Sequence, residues 1–213
     1  MTSASAGKPI RIGYSSDLSG EQAESGKAAW LSHQIWREEI NARGGLLGRP
    51  VEFVHYDDGN DPAIVPGLYA KLIDEDKVDL VLGGYGNTNQ SAALPVAAER
   101  QKLFIGVHGT AINEKLNYDR YFQLLPTGPN ARLAMSKGFM DIAATLRPKP
   151  QTLALLRGDD ANQAMIMTGA RETAAAHGFR IVFDEVCPKD VEDPAPLMRR
   201  LQAAEPDIVF FSL

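Results

Sequence analysis

The sequence lacks the features of three classes of protein: membrane proteins, domains held together by disulfides, and nucleic-acid binders. Among its 213 residues there is one cysteine, Cys187, which excludes an internal disulfide framework and a thiolate metal cage. No uninterrupted apolar run approaches the roughly 18 to 20 residues of a membrane-spanning helix. The 22 Lys and Arg residues are outnumbered by 27 Asp and Glu residues, whereas a nucleic-acid binder presents a basic face. The composition therefore predicts a globular protein that neither inserts into a membrane nor binds nucleic acid.

The motifs of nucleotide-dependent enzymes and of hydrolases are also missing. Gly84-x-Gly86 is not a dinucleotide fingerprint, because Asn89 stands at the third glycine position and the motif follows the third predicted strand instead of the first. The sequence contains neither a Gly-x-x-x-x-Gly-Lys-Ser/Thr phosphate loop nor a Gly-x-Ser-x-Gly nucleophile elbow. We therefore predict no catalytic residues and no cofactor, and we expect that the chain is not an enzyme.

No spacing typical of metal ligands is present. The histidines are scattered along the chain as His33, His55, His108 and His177. Asp57 and Asp58 follow the second predicted strand, where they could bind a cation or cap the next loop and helix. The cap is favoured, so the sequence predicts no metal site.

The first nine residues predict a disordered leader. Segment 1–9 is small and polar, and it lacks the apolar stretch of a secretory signal peptide. Two explanations stay open: the protein is cytoplasmic, or a signal peptide was removed and a start methionine was supplied.

From Ile10 onward, short β-rich runs alternate with longer helical stretches. A helix is expected over 24–43, where Ala28, Leu31 and Ile35 form an apolar stripe. Another is expected from about 161 to 177, ended by Gly178, and a strand is expected over 180–186. This alternation predicts an α/β fold of Rossmann-like units, with parallel sheets and helices on both faces. In the sheet order 2-1-3-4-5, the winding reverses between the first and third strands. The polar segment 126–129 breaks the alternation, so we expect an N-terminal lobe over 10–126 and a C-terminal lobe from 127.

The C-terminal lobe is expected to be incomplete in this chain. Asp193 is predicted to cap a helix whose first residue is Pro194. A last strand follows over 208–213, and the sequence ends on it. Because a buried parallel strand needs neighbours on both sides, we expect that 127–213 is the first part of a longer lobe.

The loops at the carboxyl ends of the strands predict a ligand site. In open α/β sheets, ligands lie beyond these ends at the point where the winding reverses. The loops expected there are 15–20, 83–89 and 106–110, which are rich in Gly, Ser, Thr and Asn and contain no Lys or Arg. Loop 83–89 enters a helix whose first-turn N–H groups suit a small anion such as a carboxylate.

Simpler roles for the same side chains stay open at this point. Asn87 or Thr88 could cap the helix, and Tyr85 could fill the core instead of stacking on a ligand. His108 could be a structural hydrogen-bonding residue.

Four groups of residues resemble one protein family. They are Asp17-Leu-Ser-Gly20; Ile40-Asn-Ala-Arg-Gly-Gly-Leu-Leu-Gly-Arg49; Tyr56-Asp-Asp with Asp61-Pro62; and Gly83-Gly-Tyr-Gly-Asn followed by Ala92-Ala-Leu-Pro-Val-Ala-Ala-Glu99. Together they are similar to segments of the type I periplasmic binding proteins, the branched-chain amino acid and amide group that serves ABC transporters. The resemblance covers residues 9–213.

The resemblance implies a non-enzymatic, periplasmic binding component of an ABC-type uptake system. It implies two lobes that close on a small carboxylated solute, an ABC permease as partner, and a first crossing between the lobes over 126–130. Together with the loops above, it gives these predicted ligand-binding residues: Ser19, Tyr85, Gly86, Asn87, Thr88, His108, Gly109 and Thr110 in the first lobe, and Asp159, Asn162 and Gln163 in the second.

Departures from the family pattern leave the solute open. Members that bind amino acids often have Ser where Asn87 stands, a small residue where His108 stands, and an aromatic-Gly pair where Asn162-Gln163 stand. The candidates are therefore an amino acid, an amide or an aromatic acid. Two rival functions also stay open: a cytoplasmic amide or amino acid sensor of the same fold, and, more remotely, a nucleotide-dependent α/β enzyme.

Overall fold

The computed structural model describes residues 7–20, 23–107, 109–125, 127–128 and 130–212. The chain divides into two compact units, Met1–Pro126 and Thr127–Leu213, named here the first and the second unit. Several predictions lie outside the described residues: residues 1–6 of the leader, Pro126 and Pro129 of the lobe boundary, His108 of the site, and the last residue of the final strand.

The first unit is a parallel sheet with helices on both faces. The order of its strands is β2-β1-β3-β4-β5, and all paired strands are parallel. This confirms the α/β fold and the strand order expected from the sequence. The elements are β1 Ile10–Ser16, α1 Ala23–Ala42, β2 Val51–Asp57, α2 Val65–Asp74, β3 Leu80–Leu82, α3 Asn87–Glu99, β4 Phe104–Gly106 and β5 Tyr121–Gln123.

One face of this sheet packs against α2 and α3. Tyr69, Leu72, Leu94 and Phe104 are fully buried there. The Tyr69 hydroxyl donates a hydrogen bond of 2.5 Å to the Leu82 carbonyl. This bond ties α2 to the last residue of β3, next to the predicted ligand loop.

The other face packs against α1 through aromatic rings and small residues. Trp30 stacks on His55 with ring centroids 4.2 Å apart, while Gly26 and Ala29 are the buried residues of the helix. Leu31 and Ile35, which belong to the apolar stripe that predicts the helix, are 56% and 51% exposed. The stripe therefore does not face the sheet in this unit.

The second unit repeats the same architecture on a smaller scale. Its sheet has the order β7-β6-β8, again with parallel pairing. Gly178 ends α5 as predicted, in a left-handed conformation with φ of 75° that favours glycine. The elements are α4 Ala131–Thr145, β6 Thr152–Arg157, α5 Ala161–His177, β7 Arg180–Val186, α6 Ala195–Ala203 and β8 Ile208–Ser212.

The predicted start of α6 is wrong by one residue. Pro194 is the N-cap, and the helix begins at Ala195. The Asp193 carboxylate still accepts a hydrogen bond from the Ala195 N–H, at 2.9 Å. Asp193 therefore satisfies a backbone donor of the first turn, although it lies one residue before the N-cap.

Among the described residues, no helix is both long and apolar enough to cross a membrane.

Candidate functional site

The sheet order brings the predicted ligand loops of the first unit to one edge. β3 lies between β1 and β4, so the loops that follow these three strands are neighbours. The winding reverses between β1 and β3, as the sequence predicts for a ligand site. Gly83 and Gly84 are buried, Tyr85, Gly86 and Asn87 are half-buried, and Thr88 is exposed.

Asn87 and Thr110 join the loop after β3 to the loop after β4. The Asn87 Oδ1 accepts a hydrogen bond from the Thr110 backbone N–H at 2.8 Å. The Asn87 Nδ2 donates to the Thr110 Oγ1 at 3.1 Å. These two predicted site residues are therefore in contact, and their bonds fix the spacing of the two loops.

The start of α3 differs from the simpler interpretation of the sequence. Neither Asn87 nor Thr88 is the N-cap of the helix: the N-cap is Gly86, with φ of 81°, which makes no side-chain capping hydrogen bond. A glycine at this position tolerates the positive φ. The positive end of the helix dipole therefore begins at a residue that has no side chain of its own to cap it.

Tyr85 faces a different environment from its neighbours. It lines an apolar cavity of about 770 Å³ on the α1 side of the sheet, together with Ile12, Leu82, Ile105 and Trp36. Tyr85 is the one predicted site residue in the described part of the chain that reaches this cavity. Few polar groups line this cavity, whereas the loop edge carries Asn87 and Thr110.

The loop after β1 is anchored by the aspartates that follow β2. The Asp57 Oδ1 accepts hydrogen bonds from the N–H groups of Leu18, Ser19 and Gly59, at 2.9, 3.3 and 3.0 Å. These bonds favour the ionised carboxylate and lower the pKa of Asp57, against the opposing effect of burial. Asp57 thus organises loops, as the favoured interpretation expected, and it fixes the predicted site residue Ser19.

Asp58, the second of these aspartates, links the end of β1 to the start of α3. Its side chain is fully buried and accepts hydrogen bonds from the Ser15 Oγ at 2.7 Å and the Asn89 Nδ2 at 3.2 Å. Burial raises the pKa of Asp58 in spite of these bonds.

No group of three or more His, Cys, Asp or Glu side chains among the described residues is arranged to hold a metal ion.

Asp17 is a buried carboxyl group without hydrogen-bond partners. It is 1% exposed, and neither carboxylate oxygen has a partner. Burial raises the pKa of Asp17, and the neighbouring Asp58 and Asp57 add to the effect. An ionised, unpartnered carboxylate in this position costs folding free energy.

We expect Asp17→Asn to raise the free energy of unfolding at pH 7 by about 1 kcal/mol, because it removes the buried charge. Since the pKa of Asp17 is raised in the folded state, the gain is present at neutral pH and disappears as acid protonates the wild-type carboxyl group. Urea unfolding of both proteins at neutral and acidic pH measures this difference. A less stable variant at pH 7 would mean that the carboxylate is stabilised in the fold.

The second unit presents a comparable edge after β6. Asp160 caps α5, where its Oδ1 accepts a hydrogen bond from the Gln163 N–H at 2.8 Å. The predicted residues Asp159 and Asn162 are exposed. The Gln163 Oε1 is buried without a partner and lies against Gly158.

Sequence reasoning missed one polar residue at the first unit's edge, Gln90. It is fully buried in α3, and neither its Oε1 nor its Nε2 has a hydrogen-bond partner. The sequence feature that could have indicated its burial is the pair Gly83 and Gly109. Because these glycines have no side chain, they leave room for the Gln90 amide. His108, next to Gly109, lies outside the described residues.

The sequence matches a known family over almost its whole length. The family described as periplasmic binding protein matches residues 9–213. The leucine-specific-binding protein of Salmonella typhimurium is 24% identical over 203 residues, which is 95% of this chain and 53% of that protein.

Two crystal structures from other bacteria have the same fold. A Silicibacter pomeroyi protein, provisionally assigned to a branched-chain amino acid ABC transporter, has a TM-score of 0.83, with 25% identity over 96% of this chain and 54% of its own. A solute binding protein of an ABC transporter from Rhodopseudomonas palustris BisB5, in complex with 3,4-dihydroxy benzoic acid, has a TM-score of 0.75. It is 25% identical over 95% of this chain and 54% of its own.

The present chain therefore spans about half the length of the relatives it matches. The family consists of solute-binding proteins, not of enzymes. Because the match runs from residue 9 to residue 213 and the fold agrees, the chain belongs to the periplasmic binding protein family.

Proposed function

We propose that this chain provides the solute-binding site of an ABC-type uptake system, and that it holds the carboxylate of a small solute at the loops after β3 and β4. The relatives are solute-binding proteins of ABC transporters for amino acids or aromatic acids. The proposed partner is an ABC permease, and the proposed compartment is the periplasm. Capture of the solute between two lobes stays a prediction.

The observation that carries this proposal is the Asn87–Thr110 pair beside an uncapped helix. The two side chains hold the loops in a fixed arrangement through bonds of 2.8 and 3.1 Å. Gly86 leaves the start of α3 without a capping side chain. The positive end of a helix dipole, with its first-turn N–H groups, is a suitable anion site, and the loops contain no Lys or Arg that would bind an anion instead.

The proposed solute is small and carries a carboxyl or carboxamide group. Relatives support two chemical types: one is named for leucine, and another was crystallised with 3,4-dihydroxy benzoic acid. Backbone N–H groups recognise the planar head group that both types share.

The substitution Asn87→Asp tests the head-group site. It keeps the shape of the side chain and the Oδ1 that accepts the Thr110 N–H, but it places a negative charge beside the proposed carboxylate. Like charges at a binding site oppose each other, so we expect the affinity for a carboxylated solute to fall at least about tenfold. Calorimetric titration with leucine, isoleucine, 4-hydroxybenzoate and benzamide measures the affinities.

Gln101→Glu is the matched control, because it adds the same charge to an exposed residue just past the other end of α3. We expect it to bind as the wild type does. Equal loss in both variants would point to a long-range effect of charge. Wild-type affinity in Asn87→Asp would refute the proposed position of the carboxylate.

A further inference from the structure

The outer edge of β8 carries no paired strand in the second unit. In the sheet order β7-β6-β8, β8 pairs with β6 and with no other strand among the described residues. Its sequence, Ile208-Val-Phe-Phe-Ser212, contains no charged residue and no proline. An edge of this kind presents unpaired N–H and C=O groups, and proteins usually protect such edges with charges, prolines or bulges. The β8 edge is therefore a template for a further strand.

The opposite edge of the same sheet, β7, has the protection that β8 lacks. Asp184 of β7 accepts hydrogen bonds of 2.6 and 2.8 Å from the Arg171 side chain on α5. Glu185, the next residue of β7, forms an ion pair with Arg200 on α6. Charged side chains thus lie on both faces of the β7 edge, where they oppose pairing with another strand. The difference between the two edges indicates that β8 is the one that interacts.

Apolar side chains of α4 extend the exposed surface beside β8. Their spacing places them on one side of the helix and its C-cap, and they are between 37% and 68% exposed. They are named here the α4 stripe: Met135, Phe139, Ile142 and Leu146. The Phe139 ring lies next to the Phe210 ring of β8, with centroids 5.1 Å apart. On the other face of β8, Phe211 is 65% exposed.

The apolar area of this surface is about what a stable dimer needs. If a fully exposed aromatic side chain presents about 150–250 Å², the α4 stripe and Phe211 together present roughly 450 Å². A standard protein–protein interface buries about 800 Å² on each partner, and somewhat more than half of that area is apolar. One copy of the chain therefore supplies the apolar part of one side of such an interface.

A second copy of the chain fits this surface through a two-fold axis. Two β8 strands that run antiparallel and are centred on Phe210 pair over their whole length, with Ile208 opposite Ser212. The same axis brings the two α4 stripes together on one face of the sheet. Their alternating spacing of four and three residues suits the packing of one helix against another.

Charge does not oppose this contact. The three charged residues of α4 are paired within the chain, Arg132 with Glu172, and Lys137 with Asp141. Asp207, just before β8, accepts hydrogen bonds from two backbone N–H groups at the start of β6. Two copies therefore meet without unpaired like charges from α4 or from the start of β8.

We propose that β8 and the α4 stripe form a homodimer interface. The two three-stranded sheets of the second units join there into one continuous sheet, β7-β6-β8-β8-β6-β7. A second copy brings the complementary surface by symmetry, whereas any other partner would have to supply an apolar strand and an apolar helix face of its own. The interface involves only the second unit and is independent of the proposed solute site.

Sedimentation equilibrium of the 213-residue chain, from low micromolar to a few hundred micromolar, tests the proposal. We expect a reversible monomer–dimer equilibrium. The substitutions Phe211→Lys and Ile142→Lys each place a charge in the apolar interface of both copies, so each is expected to weaken dimerisation at least about tenfold. Both side chains are largely exposed in the single chain, so little packing within the chain is lost.

Phe122→Lys on β5 and Leu31→Lys on α1 are the matched controls. Each adds the same charge at an exposed apolar side chain, one on a strand and one on a helix of the first unit. We expect both variants to dimerise as the wild type does.

Hydrogen exchange separates strand pairing from other contacts between copies. The β8 amides that do not bond to β6 are expected to exchange more slowly at high than at low protein concentration in the wild type. In Phe211→Lys we expect the same rate at both concentrations. Circular dichroism of each variant at low concentration is expected to match that of the wild type.

Each contrary result overturns the proposal. A wild-type chain that stays monomeric over the whole range leaves the β8 edge to a different strand. Equal loss of dimerisation in the control variants would place the interface outside the second unit or reduce the effect to net charge. Species larger than a dimer would contradict a two-fold interface, which closes on itself. A lysine variant that unfolds would show that its side chain is packed within the unit and not available to a second copy.

Discussion

Replacing Gly169 by alanine is expected to destabilise the second unit by about 2–4 kcal/mol, because α4 and α5 touch at this residue. An added Cβ atom would lie 2.6 Å from the Arg132 carbonyl carbon and closer still to its oxygen. Neither atom belongs to a flexible side chain, so the two helices would have to separate. Separation would loosen the buried contacts of Met140 and Met167 and the 3.1 Å hydrogen bond between the Ser136 and Thr173 hydroxyls.

Gly138→Ala supplies the control within the same pair of helices. No atom lies within 4 Å of a Cβ built at Gly138, so the alanine should stabilise α4 slightly, by about 0.5–1 kcal/mol. The second unit contains neither Trp nor Tyr, so its unfolding is best followed by hydrogen exchange in α4 and α5. If both variants have wild-type protection, the close approach of the helices is wrong.

The first unit is expected to lose about 1–3 kcal/mol of stability between pH 7 and pH 4 through one histidine, His55. Its ring contacts Trp30 and Tyr14, with centroids 4.2 and 5.2 Å away, and its Nε2 is 3.0 Å from the Ser16 Oγ. Burial lowers the pKa of His55 to about 4. The unfolded chain, with an ordinary pKa, therefore takes up the proton first.

The direction of this effect follows from the lowered pKa. The stabilisation is complete above the ordinary pKa of about 6.5 and is lost as the pH falls toward the folded-state pKa of about 4. Urea unfolding followed by Trp fluorescence measures it, because Trp30 and Trp36 both lie in the first unit. His55→Phe is expected to be less sensitive to pH in this range. His177→Gln, in the second unit, is expected to behave as the wild type does, and equal pH dependence in all three proteins would contradict the assignment.

The sheet and its order could be predicted because they follow from a few strong signals. Short apolar runs such as Val78 to Leu82 alternate with helical segments, and parallel strands joined by helices allow few arrangements. The predicted bounds of α5 and β7 agree with the structure, since Gly178 marks the turn between them. The ligand-bearing edge follows from the strand order alone.

Details that depend on tertiary packing could not be predicted. Leu31 and Ile35 indicate a helix correctly but not which side of it is buried, because Gly26 and Ala29 make the closer contact with the sheet. A Cβ atom at Gly26 would lie 2.8 Å from the Asp17 carbonyl carbon, an approach that only a glycine allows.

The location of the candidate site could be predicted from the sequence, but its side-chain contacts could not. The topology brings Asn87 near the loop after β4, whereas only the structure pairs it with Thr110 instead of with its own helix. Gln90 was missed because a glutamine early in a helix is usually a solvated residue. Its burial depends on glycines at 83 and 109, which are distant in sequence and adjacent in space.

Mapping where a small solute binds on the first unit tests most directly whether the loops after β3 and β4 hold it. Backbone ¹⁵N–¹H signals of the chain are recorded during titration with leucine and with 4-hydroxybenzoate. We expect shifts concentrated in Gly84 to Thr88 and in Gly109 and Thr110, at the carboxyl ends of β3 and β4. Shifts confined to residues of the apolar cavity, such as Ile12, Ala29 and Ile105, with the loop amides unmoved, would contradict it.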